Sequence, residues 1–163
     1  MIFVTVGTQL PFERLVAAVD AWSSQRVPRF DVLAQVGSGS TAYRNIRCVR
    51  SLDSRQYAGA IAAAELIVAH AGTGSILTAL GRGVPTIVMP RDNLRGEHRD
   101  DHQMQTARQL AKMGLVSVAW SEIDLPDLIE VALTQAREGA ALRQRSTELV
   151  DYIRSYLRDV LGK

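Results

Sequence analysis

The feature that most constrains this chain is its regular exchange of two hydrophobic periods. Short β-branched runs stopped by glycine, proline or polar clusters alternate with stretches whose apolar residues recur every three or four positions. IFVTV (2–6) reads as a strand ended by Gly7, and PFERLVAAVDAWSSQ (11–25) sets Phe12, Leu15, Val16, Val19 and Trp22 at helical spacing, with Pro11 suited to the first turn. DVLAQVG and IRCVRSL then read as strands, SRQYAGAIAAA as a helix and ELIVAHAG as a buried strand stopped by glycine. GSILTALGRG follows as a helix ended by Gly81 or Gly83, PTIVMP as a strand, HRDDHQMQTARQLAKMG as a helix and LVSVAW as a last strand. Helices close the chain, the first over about 125–136. Strands separated by helices and short connections predict an α/β class, a Rossmann-like parallel sheet with helices on both faces. No repeat, low-complexity tract or linker interrupts the pattern, so the 163 residues, 47% of them hydrophobic, are expected to form one domain.

In open parallel sheets, ligands bind beyond the carboxyl ends of the strands, where a tight turn feeds a helix whose first N–H groups lack partners. Three turns fit that place. In HAGTGS, Gly72 and Gly74 let backbone approach an anion, while Thr73 and Ser75 add hydroxyls at the positive end of the next helix. In VGTQLP, Gly7 with Thr8 and Gln9 ends the first strand similarly, and in QVGSGS, Gly37 and Gly39 end the second. Glycines at such turns also serve plain chain reversal. Three turns of this composition point to a phosphorylated ligand, yet the chain has neither the GxxxxGK[ST] of a P-loop nor a full GxGxxG dinucleotide fingerprint.

Charge and cysteine content remove other classes. With 19 basic against 17 acidic residues the net charge is +2, too balanced for a nucleic-acid binder, while a pI near 9.0 suits small anions. The single Cys48 excludes an internal disulfide, and MIFVTV shows no signal-peptide pattern, so a cytoplasmic setting is expected. No apolar run reaches the eighteen or so residues of a membrane span, which leaves membrane contact peripheral.

The loop and helix start PRDNLRGEHRDDHQMQTA (90–107) packs Arg91, Arg95, His98, Asp101, His102 and Gln103 directly after a strand, as a binding loop would. Its Asp, His and Gln residues offer the mixed donors and acceptors that a polyhydroxylated ligand needs. His98 and His102, at i and i+4 with Asp101 between, also permit a metal reading, but no third ligand suggests itself and none is assigned. A solvated helix start is the plain alternative. Arg91 and Arg95 suit a sugar carboxylate, a phosphate or solvent equally. The basic segment 44–55 reads as a solvated face. In the tail, Leu142, Leu149, Val150, Ile153, Leu157 and Val160 fall mostly on one stripe, so 139–161 is expected to form a helix packed on the sheet, on a partner or on anionic lipid.

HAGTGSILTALGRGVPTIVMP followed by EHRDDHQMQTA resembles the carboxyl-terminal donor-binding domain of glycosyltransferase family 28, the group that contains MurG. With VTVGTQLPFERLV and the PR…GEHRDDHQ loop, the chain is more closely similar to the short PssE-type subunits of bacterial two-component exopolysaccharide glycosyltransferases and their eukaryotic counterpart in N-glycan assembly. The resemblance covers about residues 1–119. It implies a single GT-B donor-binding half that takes a UDP-sugar without a metal or other cofactor, and a membrane-anchored, acceptor-binding partner subunit that recruits it to a lipid-linked saccharide on the inner face of the membrane. By the same resemblance, Gly7, Thr8, Gln9 and Gly72, Thr73, Gly74, Ser75 lie near the diphosphate, the QVG turn of Gln35, Val36 and Gly37 lies near the nucleotide, and His102 and Gln103 meet donor-sugar hydroxyls. Thr78 stands where many relatives carry the Glu that holds the ribose. His70, Arg91 and Asp101 complete the expected substrate-binding set; no catalytic base is assigned, since the partner is expected to supply it. A non-catalytic accessory module that enhances a transferase partner is the rival reading.

Overall fold

The computed structural model describes residues 1–8, 10–98 and 102–138. Its elements run β1 (Ile2–Thr5), α1 (Glu13–Ser24), β2 (Val32–Gln35), β3 (Arg47–Val49), α2 (Ser54–Ala63), β4 (Leu66–His70) and α3 (Thr73–Gly81). They continue with β5 (Thr86–Met89), a single 3₁₀ turn (Asn93–Arg95), α4 (His102–Lys112), β6 (Ser117–Val118) and α5 (Leu125–Glu138). The expected 139–161 helix lies outside the described residues.

The six strands form one sheet in the order β3-β2-β1-β4-β5-β6, and every neighbouring pair is parallel. Strand order therefore reverses between β1 and β4, where Ile2 to Thr5 pair in register with Leu66 to Ala69. These central strands are short apolar runs without polar alternation because both faces are covered. On one face Ile2, Val4, Leu66, Val68, Ile87 and Met89 pack with Leu15, Val16, Val19 and Trp22 of α1 and Leu125, Ile129 and Leu133 of α5. On the other face Phe3, Ile67 and Ala69 pack with Ala60 and Ile61 of α2 and Ala79 of α3, and Val88 packs with Ile76 of α3 and Ala107 and Leu110 of α4. The two-layered cover confirms the α/β expectation.

Local chemistry fixes the boundaries. A capping box starts α2: Asp53 accepts from the Gln56 amide at 2.8 Å, and the Gln56 side chain accepts from the Asp53 amide at 3.0 Å. Pro11 precedes the α1 N-cap, Phe12, so it stands one position outside the helix rather than in its first turn. α3 stops at Gly81, and Gly83 makes the reversal at φ +64°. The last strand is shorter than LVSVAW suggests: at the sheet edge only Ser117 and Val118 pair with Ile87 and Val88, while Leu115 is buried beneath α4.

Candidate functional site

Parallel strands place all their carboxyl ends on one rim, and at the β1/β4 reversal that rim opens into a cleft of about 840 Å³. The turns after β1 and β4, the first half of α2, the start of α3, the β5–α4 loop and the start of α4 line it. Gly7, Thr8, His70, Gly72, Thr73, Gly74, Ser75, Thr78, Arg91, His102 and Gln103 all face it. Gly37 does not line it; with φ +60° it packs against the β1 turn, where a Cβ would lie 3.1 Å from the Gly7 carbonyl oxygen. Gln9 and Asp101 lie outside the described residues.

The bare backbone turns out to hold a protein group as well as to open a cleft. The His70 ring, at the end of β4, is wedged between Gly7 and Gly72: a Cβ on Gly7 would sit 2.9 Å from Nε2, and one on Gly72 would overlap the ring outright. Gly7 also needs its φ of +77° to leave β1. His70 Nδ1 approaches the Thr5 carbonyl oxygen at 3.4 Å, which fits a neutral ring protonated at Nδ1. Burial, reinforced by the nearby Arg91 charge, lowers its pKa to about 4. The ring therefore enters the site as a neutral group, with Nε2 as an acceptor.

Gly74, by contrast, has open space where a side chain would stand. It sits with Thr73 and Ser75 in the first turn of α3, whose amides have no helical partners and whose dipole favours an anion. The Tyr57 hydroxyl donates to Ser75 Oγ at 3.1 Å, so the Ser75 proton points elsewhere and is available to an acceptor. Thr78 spends its hydroxyl on the Gly74 carbonyl oxygen at 2.8 Å.

The β5–α4 loop is tied down by two arginines. Arg91 is 3% exposed and stacks 4.6 Å from the Phe12 ring. Its Nη2 donates to the carbonyls of Val6 (2.7 Å) and Leu10 (2.6 Å), and its Nη1 donates to those of Pro11 (2.6 Å) and Glu97 (3.4 Å). The sequence offered this residue as a ligand contact; it lines the cleft, and its terminal nitrogens hold the β1–α1 turn in shape and put a fixed positive charge beside it. Arg14 makes a two-pronged contact with Glu97 at 2.6 and 2.9 Å and reaches Glu122 at 3.2 Å, while Arg95 pairs with Glu122 at 3.1 Å on the surface. The Gln103 carbonyl oxygen accepts from the Arg91 amide at 3.1 Å, and His102 faces the cleft beside it. Among the described residues no three His, Cys, Asp or Glu side chains gather as a metal site would require.

One cleft residue, Thr5, carries no expectation from the sequence, and Gln35 enters there only as part of the QVG turn. Thr5 (1% exposed) and Gln35 (4% exposed) face each other in register at the ends of β1 and β2, and among the described residues neither Thr5 Oγ1 nor Gln35 Oε1 has a hydrogen-bond partner. A polar residue closing an otherwise apolar strand, as in IFVT and VLAQ, was the available signal.

The profile of the glycosyltransferase family 28 C-terminal domain matches residues 1–155. The human UDP-N-acetylglucosamine transferase subunit ALG13 is 33% identical over 122 residues, covering 69% of this chain and 10% of the human protein. The subunit of the same name from Yarrowia lipolytica is 30% identical over 121 residues, covering 68% of this chain and 60% of the yeast protein. This chain thus spans about a tenth of the human relative and under two thirds of the yeast one. In fold it is similar to the calicheamicin glycosyltransferase CalG4, with TM-score 0.60 and 16% identity over 98% of this chain and 43% of that one. MurG of Acinetobacter baumannii gives TM-score 0.57 and 20% identity over 94% of this chain and 49% of that one. The shared architecture is the Rossmann-like half of a GT-B glycosyltransferase.

Proposed function

We propose that this chain, which belongs to the glycosyltransferase family 28 C-terminal domain family, is the donor-binding subunit of a two-component transferase that takes a hexose from a UDP-sugar. The observation that carries the reading is the open first turn of α3 at the strand-order reversal. Gly74 leaves space over it, the Ser75 proton is available, and Arg91 supplies positive charge beside it, an arrangement that suits a diphosphate. The diphosphate is the leaving group of the transfer, so the amides and helix dipole that bind it also stabilise the charge that develops as the sugar departs. His102 and Gln103, beyond the β5 end, are then placed for the hydroxyls of the donor sugar.

This domain matches one Rossmann-like half of the GT-B fold and so supplies one wall of an interdomain cleft; because the related proteins are themselves named as subunits of a transferase, we assign the acceptor half to a second polypeptide. We assign the missing wall to a membrane-anchored partner that presents a lipid-linked saccharide, with the pair serving bacterial exopolysaccharide synthesis in the manner of PssE-type subunits. We assign removal of the acceptor's proton to the partner's side, since burial lowers the pKa of His70 to about 4 and leaves its ring a weak base. No helix among the described residues is long and apolar enough to cross a membrane, so on this reading the partner provides the recruitment.

Calorimetric titration with UDP tests the donor site. Saturable binding that disappears in the double variant Gly74→Val, Ser75→Ala is the expected result. A Cβ at Gly74 meets no neighbouring atom within 4 Å, and an unchanged melting temperature of the double variant shows that its loss of binding reports a blocked site and not a damaged fold. Absence of UDP binding with the partner present overturns the donor assignment and favours an accessory module.

A further inference from the structure

We propose that Tyr57 is a positioning residue of the site: its phenol holds the Ser75 hydroxyl where that hydroxyl can donate to the diphosphate. The inference rests on the donor-site reading above and deepens it with a residue that the sequence placed on a helix and not in the site. Tyr57 is half-buried, lines the cleft and is the one aromatic residue of α2, SRQYAGAIAA. Its ring stands edge-on to the fully buried Phe3 ring of β1, with centroids 5.4 Å apart and planes at 79°, so the sheet fixes where the phenol oxygen lies. That oxygen is 3.1 Å from Ser75 Oγ, on the third residue of α3.

The same helix shows what a hydroxyl does without such a tie. Thr78 turns back and donates to the Gly74 carbonyl oxygen at 2.8 Å, the usual resort of serine and threonine inside helices. A proton spent in that way is lost to a ligand. Among the described residues Ser75 Oγ makes no bond to the main chain; its partner is the Tyr57 phenol. A phenol donates more readily than an alkyl hydroxyl, so Tyr57 gives the proton and Ser75 Oγ receives it. The received bond holds Oγ on the cleft side and makes the remaining Ser75 O–H a better donor, because linked hydrogen bonds polarise one another. Tyr57 thus acts on the ligand only through Ser75. Its removal frees Ser75 to turn back on its own helix as Thr78 does, and the diphosphate loses a directed donor.

A double-mutant cycle, read by calorimetric titration of the full chain with UDP, tests the assignment in the wild type, Tyr57→Phe, Ser75→Ala and the double variant. Tyr57→Phe keeps the ring against Phe3 and removes only the phenol oxygen. It is expected to bind UDP about three- to tenfold more weakly than the wild type, the scale of one hydrogen bond. Ser75→Ala should weaken binding at least as much. The double variant should bind no more weakly than Ser75→Ala alone, since with Ser75 gone Tyr57 has nothing to position. A Tyr57→Phe variant that binds UDP as tightly as the wild type overturns this assignment and leaves the donor site standing. A loss on Tyr57→Phe that is equally large in the Ser75→Ala background overturns it too, by showing that Tyr57 supports the fold or touches the ligand itself. No UDP binding to the wild type, with the partner present, removes it together with the donor-site reading.

Discussion

Arg91 shows how much one side chain carries when its partners are main-chain carbonyls. Replacing it by methionine leaves the carbonyls of Val6, Leu10 and Pro11 without their donor and removes the cation over Phe12. A loss of about 3 kcal/mol in urea unfolding is the expected outcome. Arg91→Lys should recover little of it, because a single ammonium cannot reproduce the fork that serves carbonyls on both sides. His70 gives a second prediction at this scale. Its folded pKa of about 4 lies below the unfolded value of about 6.5, so between those limits the unfolded chain takes up a proton that the folded chain refuses. Stability therefore falls as pH drops through that window, by up to about 3 kcal/mol in all. Urea midpoints of the wild type and His70→Gln from pH 7 to 4 should show the variant losing that share of the slope. The sequence placed both residues at strand ends but could not assign them: a guanidinium beside a strand looks the same whether it will meet a phosphate or four carbonyls, since the choice depends on how residues 6–11 fold back over 80 positions of chain.

The strand-end turns were the most legible elements, because glycine and hydroxyl clusters at a change of hydrophobic period mark both the turn and its opening. Their occupant was less legible. Gly72 and Gly74 stand two residues apart in the same motif, yet the first makes room for His70 and the second leaves open space. A double-mutant cycle separates the two roles: Gly72→Ala should destabilise the wild type by about 1–3 kcal/mol through overlap with the ring, and should cost far less in a His70→Ala background. Gly74→Ala should leave stability unchanged or raised, since alanine suits a helix better than glycine does. Thermal melts of the four combinations and of Gly74→Ala check both statements. The edge strand was read too long because an apolar run such as LVSVAW does not reveal where pairing stops, and the α2 capping box shows in DSRQ only once the helix start is known.

For the whole molecule, the parallel α/β order was within reach of the sequence, because the two periods alternate without interruption and each connection is short. Strand order was not, as it depends on which edges meet after the chain has left and returned. The proposed division of labour makes a prediction here: the isolated chain should bind UDP yet transfer no sugar, and turnover should appear only when the acceptor-binding partner is added, as a coupled UDP-release assay would register. The all-parallel sheet also has a practical consequence. Every helix-to-strand connection falls on the rim opposite the cleft, and the one between α1 and β2 carries Val27 at 97% exposure. A dye, an affinity handle or a surface tether attached at Val27 sits at the far pole from the ligand and from any second subunit that closes over it, so the assembled pair can be immobilised there and watched at work.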